Sequence, residues 1–517
     1  MVALFLHVPE IVVPDVASVP DGELREFASM LVMMVRGLHE RLDRVEAAAA
    51  AREEELLAEL GAERARADAL QERCDALSRR LGKDSSNSSK PPSSDSPYRE
   101  KPGDRSLRGR SGRRPGKQPG AGSAALRQVP DPDEDIACPP AECASCGAGL
   151  AGQPVAGERK RQVFDAPEPP PRPRVTQYRL QKKACPCCGA VTEGAAPGGV
   201  TGRVQYGPRA HAIAAFLSCW HHVPVLRSAQ LAAALSGLAL SSGFAAGARG
   251  RAAALLAPFT DRVRGLLASV PVLHADETPA RVAGKLRYLH VACTEYLTAF
   301  HPGDRTCAGI DAGAILPGYA GVLVRDGYGG YLHLTDALHA WCGAHLLRDL
   351  KGLHDADPEG QAWAQDMAGV LSGALAAARD ARAAGRTALS AGQQQDIRAR
   401  YRAALSAGIE ANWPRSTMAG RDGMKLAKRF GSFEDMILRF VTDLDVPFTN
   451  NQAERDIRPV KVQQRASGTW RTLLGFADFA VVRSYLSTAA KWGIDPLDAL
   501  TRLFTDGPWL PPAAAPG

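Results

Sequence analysis

The chain has 517 residues, 45% of them apolar, and 63 Lys and Arg against 56 Asp and Glu give a net charge of +7. That length exceeds one hydrophobic core and predicts roughly three or four domains. The mild basicity permits nucleic-acid binding without requiring it. No run of eighteen apolar residues is present, which argues against a membrane span. The eleven cysteines, odd in number and partly in Cys-x-x-Cys pairs, fit a reducing cytoplasm rather than a disulfide framework. The first twenty residues are apolar but lack Lys and Arg and carry Glu10 and Asp15, a poor secretory signal.

Residues 23–82 read as one long helix. Leu42, Leu56, Leu70 and Leu77 recur at multiples of seven, and Leu60, Cys74 and Leu81 occupy the complementary apolar position. With Glu53–Glu55, Arg64, Arg66, Glu72 and Arg79 on the other faces, this is a coiled-coil pattern and predicts homodimerisation or higher self-association. Residues 83–128 read as a linker of Ser, Asn and Pro followed by Arg, Lys, Gly and Pro. It has too little apolar content to order itself, and its basic half suits a phosphate backbone.

A zinc module is expected over 129–200. Cys143-x-x-Cys146 and Cys185-x-x-Cys188 each precede a glycine, Gly147 and Gly189, and two such turns can supply four thiolates to one structural Zn²⁺. The 38 residues between the pairs are expected to hold a hairpin over 161–180, with a strand at Val175–Leu180. Cys138 and Cys187 are spare, which leaves the ligand register open.

Residues 205–258 read as three helices: 210–220, ended by Pro224; 226–235, ended by Gly237; and one capped by Ser241-Ser242 through Ala254. This is the outline of a helix-turn-helix DNA reader, and also of any small helical bundle. Arg249 and Arg251 on the third helix are candidate phosphate contacts.

Residues 268–345 alternate strands and turns. Strands are expected at 270–275, 285–293, 296–301 and 321–325, with a helix at 306–315. Three antiparallel strands, a helix and a strand returning beside the first make an RNase H-like topology, an α+β fold. It would set Asp276 beside Asp326. A third carboxylate, Glu454, opens a predicted helix. Phosphodiester attack needs a deprotonated nucleophile and a stabilised leaving oxygen, and two Mg²⁺ (or Mn²⁺) ions held by carboxylates provide both. Glu277 is an alternative to Asp276, but strand alternation turns it to the other face. Asp456 lies about 200° round the helix from Glu454, so only one of them can face the site. Asp443 and Asp445 also lie near.

Several segments resemble, in order, the transposases of the insertion sequence 66 family. They are Leu81–Asp95 with Asn-Ser-Ser-Lys-Pro-Pro-Ser-Ser-Asp; the Cys-x-x-Cys pairs; Tyr206-Gly-Pro-Arg and His221-His-Val-Pro; His274-Ala-Asp-Glu-Thr; Arg325-Asp-Gly-Tyr; Cys342-Gly-Ala-His-Leu-Leu-Arg-Asp-Leu; Asn450-Asn-Gln-Ala-Glu-Arg-Asp-Ile-Arg-Pro; and Gly493-Ile-Asp-Pro. The resemblance spans about residues 25–510. It implies a DDE transposase in which Asp276, Asp326 and Glu454 hold Mg²⁺ for cleavage at element ends and strand transfer into double-stranded target DNA, acting at the nucleoid. It also implies small companion proteins of the same element. Where family members often have Gly-Trp after Asp-Glu-Thr, this chain has Pro279-Ala280. The stretch 461–473 departs from the commonest form as well.

Cys342-x-x-His345 is similar to a motif that follows the second aspartate in several DDE families, and a structural role is favoured over a metal. Residues 346–447 read as an all-helical insertion, with helices at 362–384, 391–409 and 421–441. Residues 448–485 carry the last part of the catalytic core, and 486–510 a C-terminal helical segment. Arg348, Lys351, Arg421, Lys425, Lys428 and Arg429 are candidate phosphate contacts in the insertion, and Arg455, Arg458 and Lys461 flank Glu454. The rival readings are a catalytically inactive DNA-binding regulator and an RNase H-like nuclease that cuts without joining.

Overall fold

The computed structural model describes residues 20–82, 128–164, 173–413, 415 and 417–513. Nearly all of the predicted basic linker lies outside them. The chain divides into two compact units, residues 1–83 with 415–421, and residues 84–414 with 422–517. In the first, a single helix, α1, spans Asp21–Gly82. Asp21 and Glu23 in its first turn complement the helix dipole, and its Ala, Leu, Glu and Arg are strong helix formers. Its heptad leucines are not buried: Leu42 is 55% exposed, Leu56 49% and Leu70 63%.

The second unit begins with two cysteine turns built alike. The Cys143 amide donates to the Ala148 carbonyl at 2.8 Å, and the Cys185 amide to Ala190 at 2.8 Å. Gly147 and Gly189 close the turns at φ +75° and +72°, a region that disfavours side chains. Strands β1 (Lys182–Ala184) and β2 (Val191–Glu193) pair antiparallel around the second turn, Lys182 opposite Glu193. The hairpin expected over 161–180 is absent among the described residues, and Val175–Leu180 is irregular. The cysteine turn is itself the reversal that brings two arms together, so the pairing falls on its flanks.

Four helices follow: α2 (Pro208–Ala215), α3 (Val225–Ser236), α4 (Ser242–Ala254) and α5 (Ala257–Leu267). Gly237 ends α3 at φ +66°, and Ser241 Oγ accepts from the Phe244 amide at 3.1 Å to cap α4.

A mixed sheet comes next. It is formed by β3 (Val272–Val282), β4 (Lys285–Cys293), β5 (Thr298–Gly303), β6 (Val322–Arg325) and β7 (Leu338–Trp341), with the short α6 (Cys307–Asp311) before β6. The spatial order is β5-β4-β3-β6-β7. The first three strands are antiparallel, β6 runs parallel to β3, and β7 runs parallel to β6. Two expectations need correction. β3 continues to Val282 instead of stopping at 275, because β4 pairs with it throughout; the two-residue turn between them, Ala283 at φ +48° and Gly284 at φ +77°, has the left-handed pair that a tight hairpin requires. β7 was not anticipated, since His339 interrupts the apolar run by which a four-residue buried strand such as β6 can be read.

The helices α7 (Gly343–Ala356), α8 (Ala362–Ala383), α9 (Ala391–Asn412), α10 (Met418–Ser432), α11 (Glu434–Ile437), α12 (Arg439–Thr442), α13 (Asn451–Ser467), α14 (Leu473–Lys491) and α15 (Pro496–Asp506) complete the chain. The helix expected over 421–441 is broken at Phe433 and Leu438, whose backbones leave the helical region.

Alternation along the strands feeds two helical layers. Leu273, Ala275 and Leu323 point to a core shared with α2–α5, α14 and α15, whereas Val322, Val324, Ala340 and Trp341 point to one shared with α7–α12. The three helices read as a separate DNA-binding segment therefore share their core with the sheet and the C-terminal helices. A third cluster packs Ala280, Val282, Leu289 and Val291 of the long hairpin on Ala453, Ile457 and Val460 of α13 and on Phe476 and Phe479 of α14.

Candidate active site

Parallel pairing fixes the position of the two aspartates. Val272 pairs with Val322, Leu273 with Leu323 and His274 with Val324. Asp276 and Asp326 each stand two residues beyond the last pair, where the two strands part. There Asp326 Oδ1 accepts from the Tyr328 amide at 2.9 Å, an Asx-type turn, and Asp276 Oδ1 accepts from the Glu277 amide at 2.8 Å. Burial, then the charges of Asp326 and Glu277, push the Asp276 carboxyl up to about 8; the Glu277 amide and His345 act weakly the other way.

Glu277 lies close by but is already matched, with Arg305 Nε at 2.8 Å and the Tyr331 hydroxyl donating at 2.7 Å. Its pKa is raised by burial and by Asp326. The third acid, Glu454, sits in the first turn of α13. Its Oε1 is buried with no hydrogen-bond partner and stands 4.0 Å from His345 Nε2. Burial disfavours the His345 imidazolium, but the Cys342 sulfur and the Glu454 carboxylate outweigh it and hold that group up to about 9.

One residue joins the elements that carry the acids. Asn450, buried at the start of α13, donates from Nδ2 to the Ala275 carbonyl at 2.8 Å, one residue before Asp276. Its Oδ1 meets His274 Nδ1 at 2.9 Å, its own amide donates to Cys342 Sγ at 3.2 Å, and its carbonyl accepts from the Glu454 amide at 3.2 Å. Asn450 thus ties β3, the start of α7 and the first turn of α13 to one point. Sequence reasoning singled out its motif without giving it a role.

Asp456, two residues after Glu454, faces elsewhere. It accepts from Thr298 Oγ1 at 2.9 Å and from Lys491 Nζ at 2.6 Å, a buried pair between α13, β5 and α14.

The cysteine turns suit zinc in their local chemistry. Backbone N–H donors hold the thiols of Cys143 and Cys185 below their usual range: Ser145 then Cys146 for the first, Cys188 then Cys187 for the second. The two pairs do not converge: among the described residues, the group of three or more possible ligands whose atoms lie within 4.8 Å of one another is Cys342, His345 and Glu454.

The basic residues divide into engaged and open. Arg251 donates to His211 Nδ1 at 3.0 Å and to the Phe244 carbonyl, and Lys461 donates to the Pro279 carbonyl at 2.6 Å. Both heads make hydrogen bonds within the chain. Arg249 is partly buried, its Nε without a partner, and Lys351 pairs with Asp355 at 2.7 Å. Arg455 and Arg458 are exposed beside Glu454, and Arg348 is half-buried near His345.

Against known families, the chain matches the transposase IS66 family over residues 203–477, more than half its length. It matches the zinc-finger binding domain of transposase IS66 over residues 140–189 and a family of unknown function over residues 38–127. No curated protein matches it.

Proposed function

The chain belongs to the transposase IS66 family, and we propose that it cuts and joins DNA at the ends of its element with a DDE triad, Asp276, Asp326 and Glu454, on an RNase H-like core. The observation that carries the reading is the β3–β6 register, which sets two aspartates side by side at the point where the strands separate. The sheet order supports it, since antiparallel β3–β5 followed by parallel β6 and β7 is the arrangement of RNase H-like folds.

The donor set fits hard divalent cations. Burial and two neighbouring carboxylates raise the Asp276 carboxyl, a crowding that a bound divalent cation would relieve, and Glu454 presents an unpartnered buried oxygen. Asp276, Asp326 and Glu454 would hold the ions. When bound, two Mg²⁺ or Mn²⁺ supply Lewis-acid stabilisation of the attacking and departing oxygens. In each step an oxygen, from water in cleavage and from the freed 3′-hydroxyl in joining, bonds to phosphorus while the P–O3′ bond breaks. The nucleophile's proton leaves, and the departing 3′ oxygen gains one. Asn450 holds the acid-bearing elements in place. Arg348, Arg455 and Arg458, on the helices that carry His345 and Glu454, are the candidates for contact with a scissile strand's phosphates, and Arg249 is a further candidate at the α4 face. The cysteine turns hold a structural zinc, and α1 pairs protomers.

The test is a plasmid excision and integration assay in cells with the element's own ends and companion genes, comparing wild type with Asp276→Asn, Asp326→Asn and Glu454→Gln. Loss of movement in all three, with end binding kept, is the expected result. Equal behaviour of all four chains removes the triad and favours the inactive regulator. Cut ends without joined product would make the protein a nuclease.

A further inference from the structure

We infer that Arg325 is a positioning residue for the candidate active site: from inside the core, its guanidinium sets the turn that aims Asp326. The inference rests on the triad reading above. Arg325 ends β6, is fully buried, and stands directly before Asp326. Arginine is almost never fully buried unless paired. Among the described residues, no carboxylate accepts a hydrogen bond from this one.

Its bonds go to the turn instead. Nη1 donates to the Asp326 carbonyl at 2.8 Å and to the Tyr328 carbonyl at 3.1 Å. These are the two ends of the turn that Asp326 Oδ1 closes by accepting from the Tyr328 amide. The turn is thus held at its backbone by Arg325 and at its side chain by Asp326. The arginine is itself clamped. Nε donates to His339 Nδ1 at 2.9 Å, and His339 Nε2 donates to the Leu334 carbonyl at 3.1 Å. A guanidinium offers no acceptor, so this chain of bonds leaves the His339 proton on Nε2. The ring centres of Trp341 and Tyr331 lie 5.4 and 5.7 Å from the guanidinium carbon.

Packing does not account for this residue. Nη2 has no partner, and an apolar side chain would fill the space without burying a charge. What an apolar side chain could not do is fix two carbonyls of the Asp326 turn with one planar group. Lysine could not do it either, because its ammonium is a point charge on a flexible stem. Charge and geometry act oppositely on metal affinity. A cation that feels Asp326 and Glu277 repels a divalent ion, so deleting the charge alone tightens binding. Losing the turn weakens it. Arg325→Lys keeps the charge and removes the fork, which isolates the geometry.

Mn²⁺ is titrated into the full-length chain and the free ion is read by electron paramagnetic resonance, for wild type, Asp326→Asn, Arg325→Lys and His339→Leu. Arg325→Lys is expected to weaken Mn²⁺ binding by about 10- to 100-fold, the usual effect of removing a group that orients a metal ligand. Its cleavage of end DNA should recover as Mn²⁺ is raised, which a misfolded chain would not do. His339→Leu, which frees Nε and leaves the guanidinium in place, should weaken binding in the same direction by less. Wild-type Mn²⁺ affinity in folded Arg325→Lys overturns the inference and leaves the triad standing. Should that variant fail to fold, wild-type affinity in His339→Leu overturns it. Equal Mn²⁺ binding by wild type and Asp326→Asn removes the triad, and the role of Arg325 with it.

Discussion

At the residue scale, Asp276 is the most informative side chain. Burial beside Asp326 and Glu277 raises its carboxyl to about 8 from the ordinary 3.8. The folded state therefore holds a proton that the unfolded state has released, and stability contributed by the neutral acid is lost as pH rises from about 4 through about 8. In EDTA, Asp276→Asn should melt several degrees above wild type at pH 8, with the gap closing as pH falls toward 4. Added Mg²⁺ should raise the wild-type melting temperature at pH 8 and leave the variant unmoved. Differential scanning fluorimetry across pH reads both; a variant less stable than wild type at pH 8 in EDTA would show that Asp276 is not a strained acid. His301 and His339 carry the opposite slope. Burial first, then His290 beside one and Arg325 beside the other, lowers each to about 4, so their contribution is lost as pH falls from about 6.5 toward 4.

At the element scale, α13 separates structural from chemical roles within three residues. Asp456→Asn removes the carboxylate from the partly buried pair with Lys491, whose ammonium keeps the Thr294 and Leu297 carbonyls, and should cost about 1–3 kcal/mol in urea unfolding. Glu454→Gln should cost little stability while abolishing strand transfer. Asn450→Ala removes the donor to the Ala275 carbonyl and the partner of His274; it should cost about 1–3 kcal/mol and also slow cleavage, whereas Asn450→Asp restores only the His274 contact. These contrasts mark how far the sequence could be read. The strand β4, the apolar run of β6, the αL glycine after α3 and the Ser241 cap were all legible, because each is a local rule. The true length of β3 was not, since its outer half is a strand only by pairing with β4. Nor was β7, whose short apolar run is interrupted by His339. Asn450 could not be assigned because its partners lie 108 to 176 positions away.

At the scale of the whole molecule, the unexplained apolar surface is on α1. Its 62 residues span about 93 Å at 1.5 Å per residue. Its internal ion pairs, Arg52 with Glu55 and Glu63 with Arg66, are well exposed and contribute at most about 1 kcal/mol each. The heptad leucines are about half exposed along this length. Burying such a seam against a second copy gains about 25 cal/mol per Å² of apolar surface removed from water, and the two ends of a mobile element call for two catalytic units held together. The full chain should therefore sediment as a dimer or larger assembly at micromolar concentration. Leu56→Asn with Leu70→Asn places two amides in the seam and should shift it to monomer without changing zinc content or the melting of the catalytic unit. A chain that sediments as monomer before any substitution would leave α1 without a partner in its own kind, and its seam would then have to meet a companion protein of the element instead.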